Sequence, residues 1–135
     1  MSAPQVAVHR DATLLARSVA GRLISRIVEV QMASGVAHIV LTGGSVGTAV
    51  LAEVAASQGR DAIDWAHVHM WWGDERFVPA GDTDRNDGAA RSALLDHVPI
   101  DPGHVHAMPT SDGPDGLDPE AAAARYAREL DAPDG

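Results

Sequence analysis

The chain has 135 residues, 45% of them hydrophobic and 21% charged, and contains no cysteine. One domain of ordinary size is implied, and a disulfide scaffold, a thiol nucleophile and every cysteine-based zinc or iron–sulfur site are excluded. The formal net charge is −9 and all ten basic residues are arginine, which excludes a Schiff-base lysine, a P-loop lysine and a lysine general base.

In chain order, residues 5–9 (QVAVH) can form a short edge strand. Asp11 can cap a helix over 12–32, in which Leu15, Val19, Leu23, Ile27 and Val30 recur at three- or four-residue steps and predict the buried stripe. Residues 37–41 (AHIVL) read as a buried strand and Thr42-Gly43-Gly44-Ser45 as a tight turn. A helix follows over 46–56 with Val46, Val50 and Val54 on one face, broken by Gly59. Residues 67–72 (HVHMWW) are rich in strand-favouring types. A polar loop over 73–87 leads to a helix over 88–97, with Ala90, Leu94 and Leu95 inward. Residues 105–108 predict a short strand. Asp118-Pro119 sets Asp at the N-cap and Pro at the first position of a helix that runs to about residue 130.

Strand and helix alternate throughout. The expected fold is therefore α/β: a Rossmann-like, doubly wound, mostly parallel sheet in three α/β/α layers, with right-handed crossovers. Parallel strands are covered on both faces, which accounts for AHIVL being apolar almost throughout. Ligands of such sheets sit beyond the carboxyl ends of the strands. Residues 1–100 carry 11 acids and 8 arginines, and residues 101–135 carry 8 acids and 2 arginines. Neither segment offers the basic face that nucleic-acid binding requires. No apolar run spans a bilayer, and the start lacks a basic patch followed by an apolar core, so no membrane partner and a cytoplasmic location are expected.

Two loops leave the ends of strands. Gly43 and Gly44 let backbone approach a ligand, and a helix starting just after them aims free N–H groups at it, with the Ser45 hydroxyl beside them. A tight turn with Ser45 as helix cap fits the same residues. In the second loop, Gly73-Asp74-Glu75-Arg76, an arginine can grip a phosphate with two parallel hydrogen bonds and a carboxylate beside it can position water. A surface salt bridge fits as well. Asp82, Asp84, Arg85, Asn86 and Asp87 form a further polar cluster, readable as a solvated loop with a helix cap at Asn86 or Asp87.

Taken together, LTGGSVGTAVL and, about thirty residues on, WWGDERFVPAGDTDRNDGAAR resemble the 6-phosphogluconolactonases; VHAMP at 105–109 resembles that family's next strand. The resemblance covers nearly the whole chain. It implies hydrolysis of 6-phospho-D-glucono-1,5-lactone to 6-phospho-D-gluconate in the oxidative pentose phosphate pathway. No cofactor or metal is implied, and a small sugar-phosphate lactone is the partner of an expected monomer. Carried over, Gly43, Gly44 and Ser45 line the phosphate-side turn, Arg76 holds the phosphate, Asp74 lies near the reacting centre and Asn86 shapes the pocket. The family's Ser-Thr-Pro reads Ser45-Val46-Gly47 here, one hydroxyl fewer. The family's serine before the loop asparagine is Arg85 here, which could add a phosphate contact or face solvent.

Family members are about twice as long. Their general base is a histidine in a later Asp-Gly-His segment that these 135 residues do not contain. The resemblance therefore implies the N-terminal part of a lactonase-like domain, with residues 1–135 forming a single α/β unit. His67/His69 and His104/His106 are His-x-His pairs, read as surface or hydrogen-bonded residues before metal ligands. Two alternatives stay open: a phosphosugar-binding module without turnover, and the related glucosamine-6-phosphate deaminase class, in which a Met-Asp-Glu-Tyr type segment usually replaces Gly73–Arg76.

Overall fold

A computed structural model describes Pro4, Val6 and residues 11–131. The expected edge strand at 5–9 falls, but for Val6, outside the described residues. Helix α1 (Ala12–Ser34) begins as its capping residue predicts: Asp11 Oδ1 accepts from the Leu14 N–H at 2.9 Å. It ends at Gly35, whose φ of 85° allows its N–H to reach the Gln31 carbonyl.

The buried face of α1 is Ala16, Ala20, Ile24 and Ile27. It shares only Ile27 with the stripe expected from the large side chains. Val19 is exposed, while Leu23 and Val30 pack on the flank. The alanines bring α1 close against helix α2 (Ser45–Ala56), a contact that counting large residues overlooks. In α2 the buried residues are Val50, Leu51 and Val54. Val46, expected inward, is exposed because it lies in the first turn.

Strands β1 (Ala37–Leu41), β2 (Val68–Trp72) and β3 (Val105–His106) form one parallel sheet in the order β1-β2-β3. Leu41 pairs with Trp72, and Trp71 with His106. His67 belongs to a 3-10 turn leading into β2, and β3 is shorter than the 105–108 expected. Helix α3 (Asn86–Ala93) starts two residues early and gives way to a 3-10 turn at Leu95–His97, with Ala90, Leu94 and Leu95 buried as anticipated. Helix α4 (Pro119–Leu130) is capped by Asp118, which accepts from the Glu120 and Ala121 N–H groups.

Alternation along the strands separates two layers of contacts. Val68, Met70 and Trp72 join the core made with α1, α2 and α3. Trp71 and His106 lie on the other face, under α4, where the Tyr126 ring meets Trp71 edge-on with centroids 5.9 Å apart. The helices thus cover both faces, as expected of the class. One expectation fails here: β1 is not buried on both sides. His38 and Val40 are exposed, because α4 reaches only β2 and β3.

One hydroxyl of α4 bonds to two strands of the sheet. Tyr126 Oη donates to the His106 carbonyl at 2.7 Å and accepts from the Trp72 N–H at 2.9 Å. All three residues are buried. Tyr126→Phe should leave a buried donor and a buried acceptor unpaired and lower stability by about 1–3 kcal/mol in urea unfolding. A change within about 0.5 kcal/mol, the usual range for surface substitutions, would contradict this role.

The same face carries a histidine stack. His69 lies between His38 and His104, with ring centroids 4.6 and 3.9 Å away. The Glu129 carboxylate, which can only accept, pairs with His106 Nδ1–H at 2.8 Å; in the neutral His106 ring Nε2 is then the acceptor toward His69 Nδ1 at 2.9 Å. Burial, then the nearby His104, His38 and His106, lower the His69 pKa from 6.5 to about 4, against a weaker opposing pull from Asp101. Between those values the unfolded chain takes a proton that the folded chain refuses. The contribution is complete above about pH 6.5 and is lost as the pH falls toward 4. Urea unfolding at pH 5 should show stability lower than at pH 7.5 by roughly 2 kcal/mol. The difference should shrink in His69→Gln; an equal difference in both proteins would contradict the assignment.

Candidate functional site

β1 and β2 end in register, and the Gly73 N–H continues the ladder to the Leu41 carbonyl at 3.0 Å. Both candidate loops therefore leave the sheet along the same edge. In the first, Gly44 is the N-cap of α2, with φ 91°, and no side chain caps the helix. Ser45 is the first helical residue rather than the cap. The first-turn N–H groups of α2 have no helical acceptors and face outward with the positive end of its dipole.

The hollow in front of this turn is lined by Gly43, Gly44, Ser45 and Thr48 on one side and by Thr83, Asp84, Arg85 and Asn86 on the other. Thr48 was not singled out in the sequence. Its spacing of three from Ser45, one helical turn, is the signal that places both hydroxyls on one wall. Thr48 thus supplies a second hydroxyl on the α2 wall, in a chain that has one fewer than the family pattern at Val46. Gly43 is required by a close approach: a Cβ there would overlap the Asn86 Oδ1 atom. Asn86 reaches the second loop through Nδ2, which donates to the Asp74 carbonyl at 3.2 Å.

The second loop divides its charged residues. Glu75 is turned inward, its side chain 2% exposed. Its Oε1 accepts from the Arg76 and Asn86 N–H groups at 2.9 and 2.6 Å, and Oε2 from the Asp87 N–H at 3.0 Å. Glu75 thus caps α3 from a distance, and neither Asn86 nor Asp87 caps it. Arg85, expected either on phosphate or in solvent, does neither. Its side chain is 1% exposed and its guanidinium is directed to the Met108, Pro109 and Arg76 carbonyls at 2.7, 3.3 and 3.1 Å. Three carbonyls at the loop crossing accept a fixed fork of donors, and that holds the charge inside.

Arg76 stays exposed, and among the described residues its guanidinium has no hydrogen bond or ion pair. It opens on a separate groove with Phe77, Met108, Tyr126 and Leu130, not on the hollow of the glycine turn. Gly43, Gly44, Ser45 and Asn86 are therefore brought together directly. Arg76 stands one residue beyond Glu75, which bonds to Asn86. The Asp74 residue is exposed and engages Asn86 through its carbonyl alone.

Two helix N-termini stand at this edge. That of α3 is filled by the Glu75 carboxylate, and that of α2 is open. Of these two helix starts, α2 is the one whose first-turn amides no side chain caps. Among the described residues, no group of three or more His, Asp or Glu is arranged to hold a metal ion. His69 and His106 direct nitrogens at each other. No described helix is long and apolar enough to cross a membrane.

The model of the glucosamine-6-phosphate isomerases/6-phosphogluconolactonase family matches residues 10–134, and the chain belongs to that family. The 6-phosphogluconolactonase of Streptomyces coelicolor is 58% identical over 127 residues, covering 94% of this chain and 49% of the relative. The solved 6-phosphogluconolactonase of Trypanosoma brucei superposes with a TM-score of 0.72 at 27% identity, over 95% of this chain and 48% of that one. A monomeric glucosamine-6-phosphate deaminase superposes with a TM-score of 0.74 at 15% identity, over 91% and 48%, a likeness of fold alone. The chain spans about half the length of the curated relatives it matches.

Gly43→Ala should destabilise the chain by about 1–3 kcal/mol through overlap with Asn86. Adding Asn86→Ala should recover most of that loss in urea unfolding. A double variant no more stable than Gly43→Ala would place the strain elsewhere.

Proposed function

We propose that residues 1–135 are the N-terminal part of a 6-phosphogluconolactonase domain, whose reaction opens 6-phospho-D-glucono-1,5-lactone to 6-phospho-D-gluconate. The observation that carries this reading is that the open N-terminus of α2 and an arginine with no partner among the described residues stand on the two loops that leave adjacent parallel strands along one edge. Such an edge suits a phosphorylated, uncharged ring: amides and a guanidinium for the anion, hydroxyls and an amide for the sugar.

In this reading Gly43, Gly44 and Ser45 present backbone N–H groups and a hydroxyl, Arg76 grips the phosphate, and Asn86 borders the sugar. Water attacks the lactone carbonyl, the ring oxygen leaves as the chain's hydroxyl, and a carboxylate forms. Asp74, exposed beside Asn86, would orient that water. A general base is worth roughly 10²–10⁴-fold in such a step. Among the described residues, no histidine lines the hollow of the glycine turn. That observation favours a second reading for these residues taken alone: they bind a phosphosugar without turning it over. The deaminase class is held below both, since Gly73–Arg76 reads as the lactonase pattern and the 58% identical relative is a 6-phosphogluconolactonase. The protein is proposed to act as a cytoplasmic monomer in the oxidative pentose phosphate pathway, with no cofactor.

Calorimetry with 6-phosphogluconate tests the site. The chain should bind it, and Arg76→Ala should weaken binding by about tenfold to a hundredfold, the worth of one charge-assisted hydrogen-bonded pair. Binding that survives Arg76→Ala unchanged would remove Arg76 from the site. Incubation with freshly made lactone separates the two readings: faster gluconate release than the uncatalysed background supports turnover, and binding without it supports the module.

A further inference from the structure

The pair Glu75 and Arg85 is buried, its side chains 2% and 1% exposed, and it holds both ends of one residue. Glu75 Oε1 accepts from the Arg76 N–H at 2.9 Å, and Arg85 Nη1 donates to the Arg76 carbonyl at 3.1 Å. The same Glu75 oxygen accepts from the Asn86 N–H at 2.6 Å, and Arg85 Nε donates to Asp87 Oδ1 at 3.2 Å. Arg76 sits in an exposed loop with no side-chain partner among the described residues. A long cation of this kind loses considerable side-chain entropy when a ligand immobilises it. Fixing its backbone beforehand reduces what binding must order.

Two buried charges 3.8 Å apart are costly unless their hydrogen-bonding groups are satisfied. Here they are satisfied mainly by main-chain groups of the loop that carries Arg76, of the α3 start that carries Asn86, and of the strand exit at Met108 and Pro109. We propose that Glu75 and Arg85 are positioning residues: they set the Arg76 backbone and the start of α3 relative to each other, and so fix the point from which the Arg76 side chain leaves its loop. This inference rests on the phosphosugar reading of the site. It also accounts for an arginine at position 85, where the resemblance leads one to expect a serine.

A double-mutant cycle in 6-phosphogluconate binding tests it. Arg85→Lys keeps the charge and loses the fork that spans three carbonyls. It should weaken binding about tenfold when Arg76 is present, and under about twofold in an Arg76→Ala background, because its effect passes through Arg76. A general loss of folding would act equally in both backgrounds. Equal factors, or no loss in a folded Arg85→Lys protein, overturn the proposal while leaving the site intact. Failure of the unmutated chain to bind 6-phosphogluconate instead overturns the site reading. If Arg85→Lys does not fold, Glu75→Gln serves in the same cycle with the same expected asymmetry. Hydrogen exchange on the unmutated chain gives an independent check. The Arg76 and Asn86 amides should exchange slowly despite their exposed loops, and exchange at the rate of an unstructured peptide would overturn the proposal.

Discussion

A carboxylate buried at the crossing of two loops organises the functional edge of this protein. Glu75 accepts three main-chain N–H groups, from Arg76, Asn86 and Asp87, and lies beside the Arg85 guanidinium. It does for α3 what a local cap would do, but it comes from the end of β2. The start of α3 is thereby tied to the neighbouring strand. Asn86, the first residue of α3, then falls against Gly43 of the first loop. One side chain thus connects the strand-end loop, the helix start and the glycine turn.

The chemistry of the edge follows from how its helix ends are used. The α3 terminus already holds an anion that belongs to the protein. The α2 terminus presents unpaired amides behind Gly44, with Ser45 and Thr48 on the same wall. With a net charge of −9, the molecule as a whole repels anions. In the proposed reading a phosphate is held at contact range, where a few donors outweigh a distant field that salt screens. Arg76 is suited to that task because Glu75 pairs with Arg85 and leaves the Arg76 guanidinium free.

Much of this was legible in the residues, for identifiable reasons. Asp11 and Asp118 declared their helix starts, and the alternation of apolar runs declared a parallel α/β sheet. GGS and GDER, each after a strand, declared the edge. What was not legible depended on contacts between distant segments. The inner face of α1 is largely alanine, and alanine carries little weight in a periodicity of large side chains. The exposure of His38 and Val40 depends on how far α4 extends across the sheet. The burial of Arg85 depends on three carbonyls from two other loops. No property of the stretch DTDRND announces that its arginine is turned inward, and a charged loop residue is ordinarily solvated.

The central claim is that the glycine turn and Arg76, on loops that leave the sheet along one edge, serve a single anion. Titration of the isotope-labelled chain with 6-phosphogluconate, followed by amide and arginine side-chain NMR signals, addresses that claim directly. The account predicts that the Gly44 and Ser45 amides and the Arg76 Nε signal shift together along one binding curve. Shifts confined to one of the two loops, or two curves with separate affinities, would contradict it.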